Sequence, residues 1–124
     1  MDHANQAAVG IIGLGIMGSA LADQLINKGF SVFGFDPDPK ARKRASRSGV
    51  QVVSSVELLL SHSQQLLSSL PSSDAFEATC EALIEHLTHS TPKPANQAPI
   101  VLAETSTLPI SIKQRQQRRL ATAG

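Results

Sequence analysis

A chain of 124 residues that is 41% hydrophobic and 17% charged carries enough apolar material for one cored domain, expected over residues 1–124, which excludes wholesale disorder. Its formal charge of +1 gives no global pull toward nucleic acid or a membrane surface, and no run nears the roughly 18 apolar residues of a membrane span. The single cysteine, Cys80, excludes an internal disulfide or a thiolate metal cluster within one chain, and with no basic leader in Met1 to Gln6 a soluble, cytoplasmic protein is expected.

The first apolar run, Ala8 to Ile12, breaks into Gly13-Leu14-Gly15-Ile16-Met17-Gly18 and then into a helical pattern, which reads as strand, tight turn and helix. In such a G-x-G-x-x-G turn Gly13 makes the bend, Gly15 admits a pyrophosphate against bare backbone, and Gly18 lets the helix lie close on the strand. The phosphates of a dinucleotide would meet unpaired N–H groups at the favourable end of the helix dipole. A glycine-rich turn without a ligand is the plainer alternative. The helix is expected from Ile16 to Lys28, with Met17, Leu21 and Leu25 on its packing face, Ala20 and Ala22 keeping it close, and Gly29 as its stop. Ser31 to Phe35 is the second strand. Asp36 stands at its carboxyl end, 18 residues past Gly18, near the spacing of about 20 at which such units carry a ribose-binding acid.

Asp38 is placed to cap a helix over Lys40 to Ser48, closed by Gly49, before a short third strand, Val50 to Val53. Ser54 with Glu57 predicts a capping box for a brief helix through Leu60, and Gln65 to Leu70 a fourth strand stopped by Pro71. Asp74 with Glu77 predicts a second capping box and a helix whose apolar stripe is Phe76, Cys80, Leu83, Ile84 and Leu87, with Glu77, Glu81 and Glu85 on a solvated face. Thr88 to Pro99, with three prolines, reads as a loop, and Ile100 to Ala103 as the fifth strand. Pro109 opens a last helix to about Leu120, poorly amphipathic and expected to fray or dock on other sequence. The alternation predicts an α/β, doubly wound parallel sheet in the order 3-2-1-4-5, its ligand at the switch between strands 1 and 4.

With Gly13-Leu14-Gly15-Ile16-Met17-Gly18 followed by Ala22, Leu25 and Gly29, then Leu70-Pro71, then Ser106-Thr107 before Pro109, the sequence resembles the β-hydroxyacid dehydrogenases. That family includes 3-hydroxyisobutyrate dehydrogenase and 6-phosphogluconate dehydrogenase. The resemblance runs from about Val9 to Gly124 and implies a Rossmann-like NAD(P)-binding domain for hydride transfer to or from a small β-hydroxy acid. It also implies that Gly13 to Gly18 hold the pyrophosphate, Asp36 faces the adenosine ribose, Leu70 and Pro71 border the cofactor, and Thr107 lies toward the nicotinamide. Ala75 stands where some members carry a polar cofactor contact. Members continue into a carboxylate-gripping Ser-Gly-Gly segment and a helical domain with the catalytic lysine. The expectation is therefore that this chain binds a dinucleotide, turns over no hydroxy acid unless a C-terminal domain is supplied, and contains no catalytic residue of its own.

Asp36 favours NAD, because its carboxylate suits a ribose diol and repels a 2′-phosphate, whereas Lys40, Arg42, Lys43, Arg44 and Arg47 would suit NADP. Most of those cations are expected to face water. Ser106 and Thr107 read equally as cofactor donors or as local backbone partners. No histidine is spaced for a metal or a general base. Without Trp or Tyr, and with Phe30, Phe33, Phe35 and Phe76 all placed as core, there is no platform for nucleic acid. The fifth strand's open edge predicts homo-oligomerisation. The competing reading is a non-catalytic dinucleotide-binding or interaction module.

Overall fold

Five short strands alternate with five helices among residues 8–89, 100–106 and 108–123, the residues that the computed structural model describes. In chain order they are β1 (Ala8–Ile12), α1 (Ile16–Asn27), β2 (Ser31–Phe35), α2 (Pro39–Arg47), β3 (Gln51–Val52), α3 (Val56–His62), β4 (Gln65–Ser68), α4 (Ser73–His89), β5 (Val101–Glu104) and α5 (Ile110–Ala123). The strands pair in parallel in the order β3-β2-β1-β4-β5, the doubly wound topology that the pattern predicts.

β1 takes the centre because consecutive residues of a strand face opposite layers and both of its faces are apolar. Ile11 joins Leu14, Ala22, Val32, Ala41, Ala45 and Val50 beneath α1 and α2. Ile12 joins Val56, Leu59, Leu60, Leu66 and Leu83 beneath α3 and α4. After β3 the chain crosses back to lay β4 beside β1, so the loops leaving β1 and β4 part in opposite directions. The crevice between them is where open α/β sheets hold ligands.

Two helix starts lie elsewhere than the capping patterns predict. Ser55, not Ser54, caps α3, its Oγ accepting from the Leu58 N–H at 3.1 Å; this phase turns Val56, Leu59 and Leu60 onto the sheet. Ser72 caps α4 by accepting from the Ala75 N–H at 3.1 Å, and Asp74 sits in the first turn, where its charge suits the dipole. On α1 the packing residues are Gly18, Leu21, Ala22, Leu25 and Ile26. Met17 is exposed, since the first turn overhangs the end of β1, and Ala20 and Phe30 are exposed as well. β3 and β4 are shorter than predicted and β5 is shifted by one residue, to Val101–Glu104.

Glu81 and Glu85 are exposed, as predicted for that face of α4, and α5 runs beside it. Glu77 pairs with Arg115 and Glu81 with Arg119, Gln116 is buried, and Leu120 packs on the core, so α5 is neither frayed nor free. The hydrogen bond from Arg119 holds the Glu81 carboxyl below its usual range. Both pairs lie at the surface, where an ion pair orients an element more than it stabilises it. Thr88 and His89 belong to α4, and the remainder of the expected loop, through Pro99, lies outside the described residues. No helix among the described residues is long and apolar enough to cross a membrane.

Candidate functional site

Each glycine of the turn has a different neighbour. Gly13 has φ 99, a left-handed conformation that side chains disfavour, and a Cβ there would overlap the Ser69 carbonyl oxygen. Its N–H donates to the Phe35 carbonyl at 2.9 Å, closing the bend over β2. A Cβ on Gly18 would overlap the Gly13 carbonyl oxygen, so only hydrogen lets α1 lie this close to the turn. Around Gly15 there is nothing within 4 Å of where a Cβ would stand. The space is open, and it lies beside the start of α1, which has Gly15 as its N-cap and no side chain capping it. The first N–H groups of a helix have no partner within it, so those that follow Gly15 are donors beside this open space. Ile16 and Met17, 91% and 62% exposed, stand on its rim, while Leu14 is wholly buried beneath it.

Asp36 is tied to this turn. Its Oδ2 accepts from the Leu14 N–H and its Oδ1 from the Asp38 N–H, both at 2.8 Å. Asp38 in turn caps α2 by accepting from the Lys40 N–H at 3.0 Å, as predicted. Arg42 folds back to donate to the Asp36 carbonyl at 2.8 Å, whereas Lys40, Lys43, Arg44 and Arg47 are exposed. One carboxylate therefore fixes both the glycine turn and the loop after β2, and each of its oxygens keeps a lone pair for a further donor.

On the other side of the crevice Leu70 is half-buried and Pro71 exposed. The Leu70 N–H donates to Ser106 Oγ at 2.6 Å, and the Ser106 N–H donates to the Glu104 carboxylate, which also accepts from Ser68 Oγ. Lys113 Nζ donates to the Ser106 carbonyl at 2.6 Å. Ser106 is thus engaged with backbone, but across the sheet at Leu70 and not locally as its plainer reading expects. The sequence reading missed Glu104 and Lys113. Glu104 had a signal, being an acid that ends an apolar strand on the ligand side of the sheet as Asp36 does. Thr107 lies outside the described residues, and Ala75 falls in the first turn of α4.

Burial, with the Glu104 carboxylate acting the same way, pushes the Cys80 thiol up to about 11. The sulfur stays protonated and serves as core. His62 stacks on Phe33 with ring centroids 4.4 Å apart, and among the described residues no three His, Cys, Asp or Glu side chains gather as metal ligands. What remains is a crevice with open space above a bare glycine, uncapped helix amides and a carboxylate at the neighbouring strand end. That donor set fits a diphosphate next to a ribose.

Residues 8–124 match the family model of the NAD binding domain of 6-phosphogluconate dehydrogenase. The chain belongs to that family. As an NAD-binding domain it is similar to human mitochondrial 3-hydroxyisobutyrate dehydrogenase, 37% identical over 76 residues that make up 60% of this chain and 23% of that protein. It is also 33% identical over 82 residues to the NAD(+)-dependent, decarboxylating 6-phosphogluconate dehydrogenase of Haloferax volcanii, 64% of this chain and 27% of that one. Among solved structures, the Mycobacterium tuberculosis 3-hydroxyisobutyrate dehydrogenase superposes with a TM-score of 0.81 at 22% identity, over 96% of this chain and 38% of that chain. A Streptomyces aurantiacus imine reductase gives 0.78 at 25% identity over 94% and 38%. The alignments to the curated relatives thus take in about a quarter of those proteins' length.

Proposed function

We propose that residues 1–124 act as one NAD(P)-binding domain and that the dinucleotide lies across the carboxyl edge of the sheet. The observation that carries this is the open space at Gly15 beside the uncapped start of α1. In this reading the amides after Gly15, at Ile16, Met17 and Gly18, meet the pyrophosphate, and Gly13 and Leu14 hold the turn from beneath. Asp36 takes the adenosine ribose, Leu70 and Pro71 border the nicotinamide side, and Thr107 lies toward the nicotinamide. Asp36 makes NAD the preferred form over NADP.

The bound nicotinamide supplies the hydride chemistry, and this chain's own residues fix where it sits. Joined to a substrate-binding domain, the assembly would oxidise or reduce a small β-hydroxy acid. That step is supported by the names of the curated relatives, 3-hydroxyisobutyrate and 6-phosphogluconate dehydrogenases. A cytoplasmic location is the part of the reading supported by composition, with one cysteine and that one buried. Calorimetric titration of the folded chain with NADH tests the proposal. We expect one saturable site, with NADPH weaker by about tenfold or more, and a melting temperature that climbs with NADH concentration. A folded sample with no saturable binding contradicts the reading.

The outer edge of β5 pairs with nothing among the described residues, and Val101 on it is 56% exposed. Unpaired ladder groups of this kind accept another strand, so we propose that a second copy pairs there. In sedimentation equilibrium the mass should rise above 13.1 kDa with concentration; a single 13.1 kDa species throughout contradicts edge pairing.

A further inference from the structure

We propose that Glu104 is a positioning residue for the nicotinamide half of the dinucleotide, acting through Ser106 on the loop that leaves β4. The proposal rests on the crevice being the dinucleotide site.

Glu104 ends β5 and turns its carboxylate back between two strand exits. One oxygen accepts from Ser68 Oγ, on the last residue of β4, whose side chain is wholly buried; the other accepts from the Ser106 N–H. Held this way, Ser106 presents its hydroxyl oxygen to the Leu70 N–H at 2.6 Å. Leu70 precedes Pro71, which has no N–H of its own, so Ser106 secures the amide donor next to the proline. Two further bonds brace the same place. The Thr105 hydroxyl donates to the Ser68 carbonyl at 2.7 Å, and Lys113 Nζ donates to the Ser106 carbonyl at 2.6 Å, tying α5 to the clasp.

The arrangement mirrors the other side of the crevice. There Asp36, the acid ending β2, holds the Leu14 N–H of the glycine turn. Here Glu104, the acid ending β5, reaches the Leu70 N–H through one serine. Each wall of the crevice is thus fixed by a carboxylate from the next strand outward, the adenosine wall by Asp36 and the opposite wall by Glu104. Removing Glu104 loosens the hold of Ser106 on Leu70, while the hydrogen bonds that fix the glycine turn, from Gly13 to the Phe35 carbonyl and from Leu14 to Asp36, do not involve it. The loss should therefore fall on the part of the ligand that lies against Leu70 and Pro71, and on no other.

The test compares NADH with ADP-ribose, which carries the adenosine, both phosphates and the second ribose and lacks the nicotinamide. For Glu104→Ala we expect NADH affinity to fall roughly fivefold while that for ADP-ribose stays within about twofold. Glu104→Gln keeps one oxygen for the Ser106 N–H and offers an amide to the Ser68 oxygen, so it should restore NADH binding. Ser106→Ala removes only the acceptor for the Leu70 N–H and should repeat the selective loss; it decides the matter if Glu104→Ala does not fold. Equal losses for both ligands, or none for NADH, overturn the positioning role while the crevice reading stands. A wild-type chain that binds neither ligand overturns the crevice reading and this proposal with it.

Discussion

A Gly15→Ala chain will melt close to the wild-type temperature and bind NADH at least tenfold more weakly, whereas Gly13→Ala and Gly18→Ala will lose stability before binding is in question. At Gly15 the backbone has φ −74 and ψ −157, open to any residue, and a Cβ would meet no protein atom within 4 Å. Alanine is a poorer N-cap than glycine by up to about 1 kcal/mol, and its stiffer unfolded chain returns about 0.4–1 kcal/mol, so the two nearly cancel. The methyl group then stands where a phosphate oxygen would approach the bare backbone, and a loss of about 1.4 kcal/mol or more is a factor of ten or more in affinity. Gly13→Ala forces a side chain into φ 99 and onto the Ser69 carbonyl oxygen; Gly18→Ala drives one into the Gly13 carbonyl oxygen. Backbone strain of about 1–3 kcal/mol and overpacking of about 1–3 kcal/mol apply at Gly13, the second of these at Gly18. Set against a total of about 5–15 kcal/mol, that is a drop in melting temperature of roughly 10 °C for Gly13→Ala. Calorimetry and a thermal melt on the three variants check the split. NADH binding to Gly15→Ala at wild-type strength would remove the pyrophosphate from the turn.

That split explains why so much of the site was legible in the sequence. The bend at Gly13 and the close approach at Gly18 are backbone requirements that only one residue type meets, and the alternation of apolar periods fixes the sheet order around them. Where the reading missed, the deciding information was tertiary. Ser54 and Ser55 are equally good caps in isolation, and burial of Val56, Leu59 and Leu60 selects the second. Met17 continues a four-residue spacing with Leu21 and Leu25, yet its turn projects past the end of β1, so periodicity overstates the packed face. The ion pairs of Glu77 and Glu81 are not legible because their partners, Arg115 and Arg119, lie 38 residues on in the chain. The bonds from Leu70 to Ser106 and from Ser106 to Glu104 carry no spacing signal, because that clasp exists only once β4 and β5 are neighbours.

Replacing Asp36 with alanine will lower NADH affinity by about 10- to 100-fold and NADPH affinity by much less, so that the preference for NADH narrows or reverses. A hydrogen bond from a ribose hydroxyl to a charged group is worth about 1.5–3 kcal/mol, and NADPH never has the full benefit of it, because its 2′-phosphate meets the carboxylate as a like charge. With the charge gone, the cations that follow β2 remain, Lys40 exposed at the start of α2 and Arg42 on the Asp36 carbonyl at 2.8 Å. A 2′-phosphate can then pair with them. The carboxylate also holds the Leu14 and Asp38 N–H groups, so its removal loosens the glycine turn, and that cost falls on both coenzymes alike. The ratio of the two affinities is therefore the informative quantity, since turn loosening cancels in it and recognition of the ribose does not. Adding Arg42→Ala to the Asp36→Ala chain should cut NADPH binding by a further factor of about five to ten and leave NADH nearly unchanged. If calorimetry gives the same NADH to NADPH ratio with and without Asp36, its carboxylate serves the turn alone and the coenzyme preference is set elsewhere in the crevice.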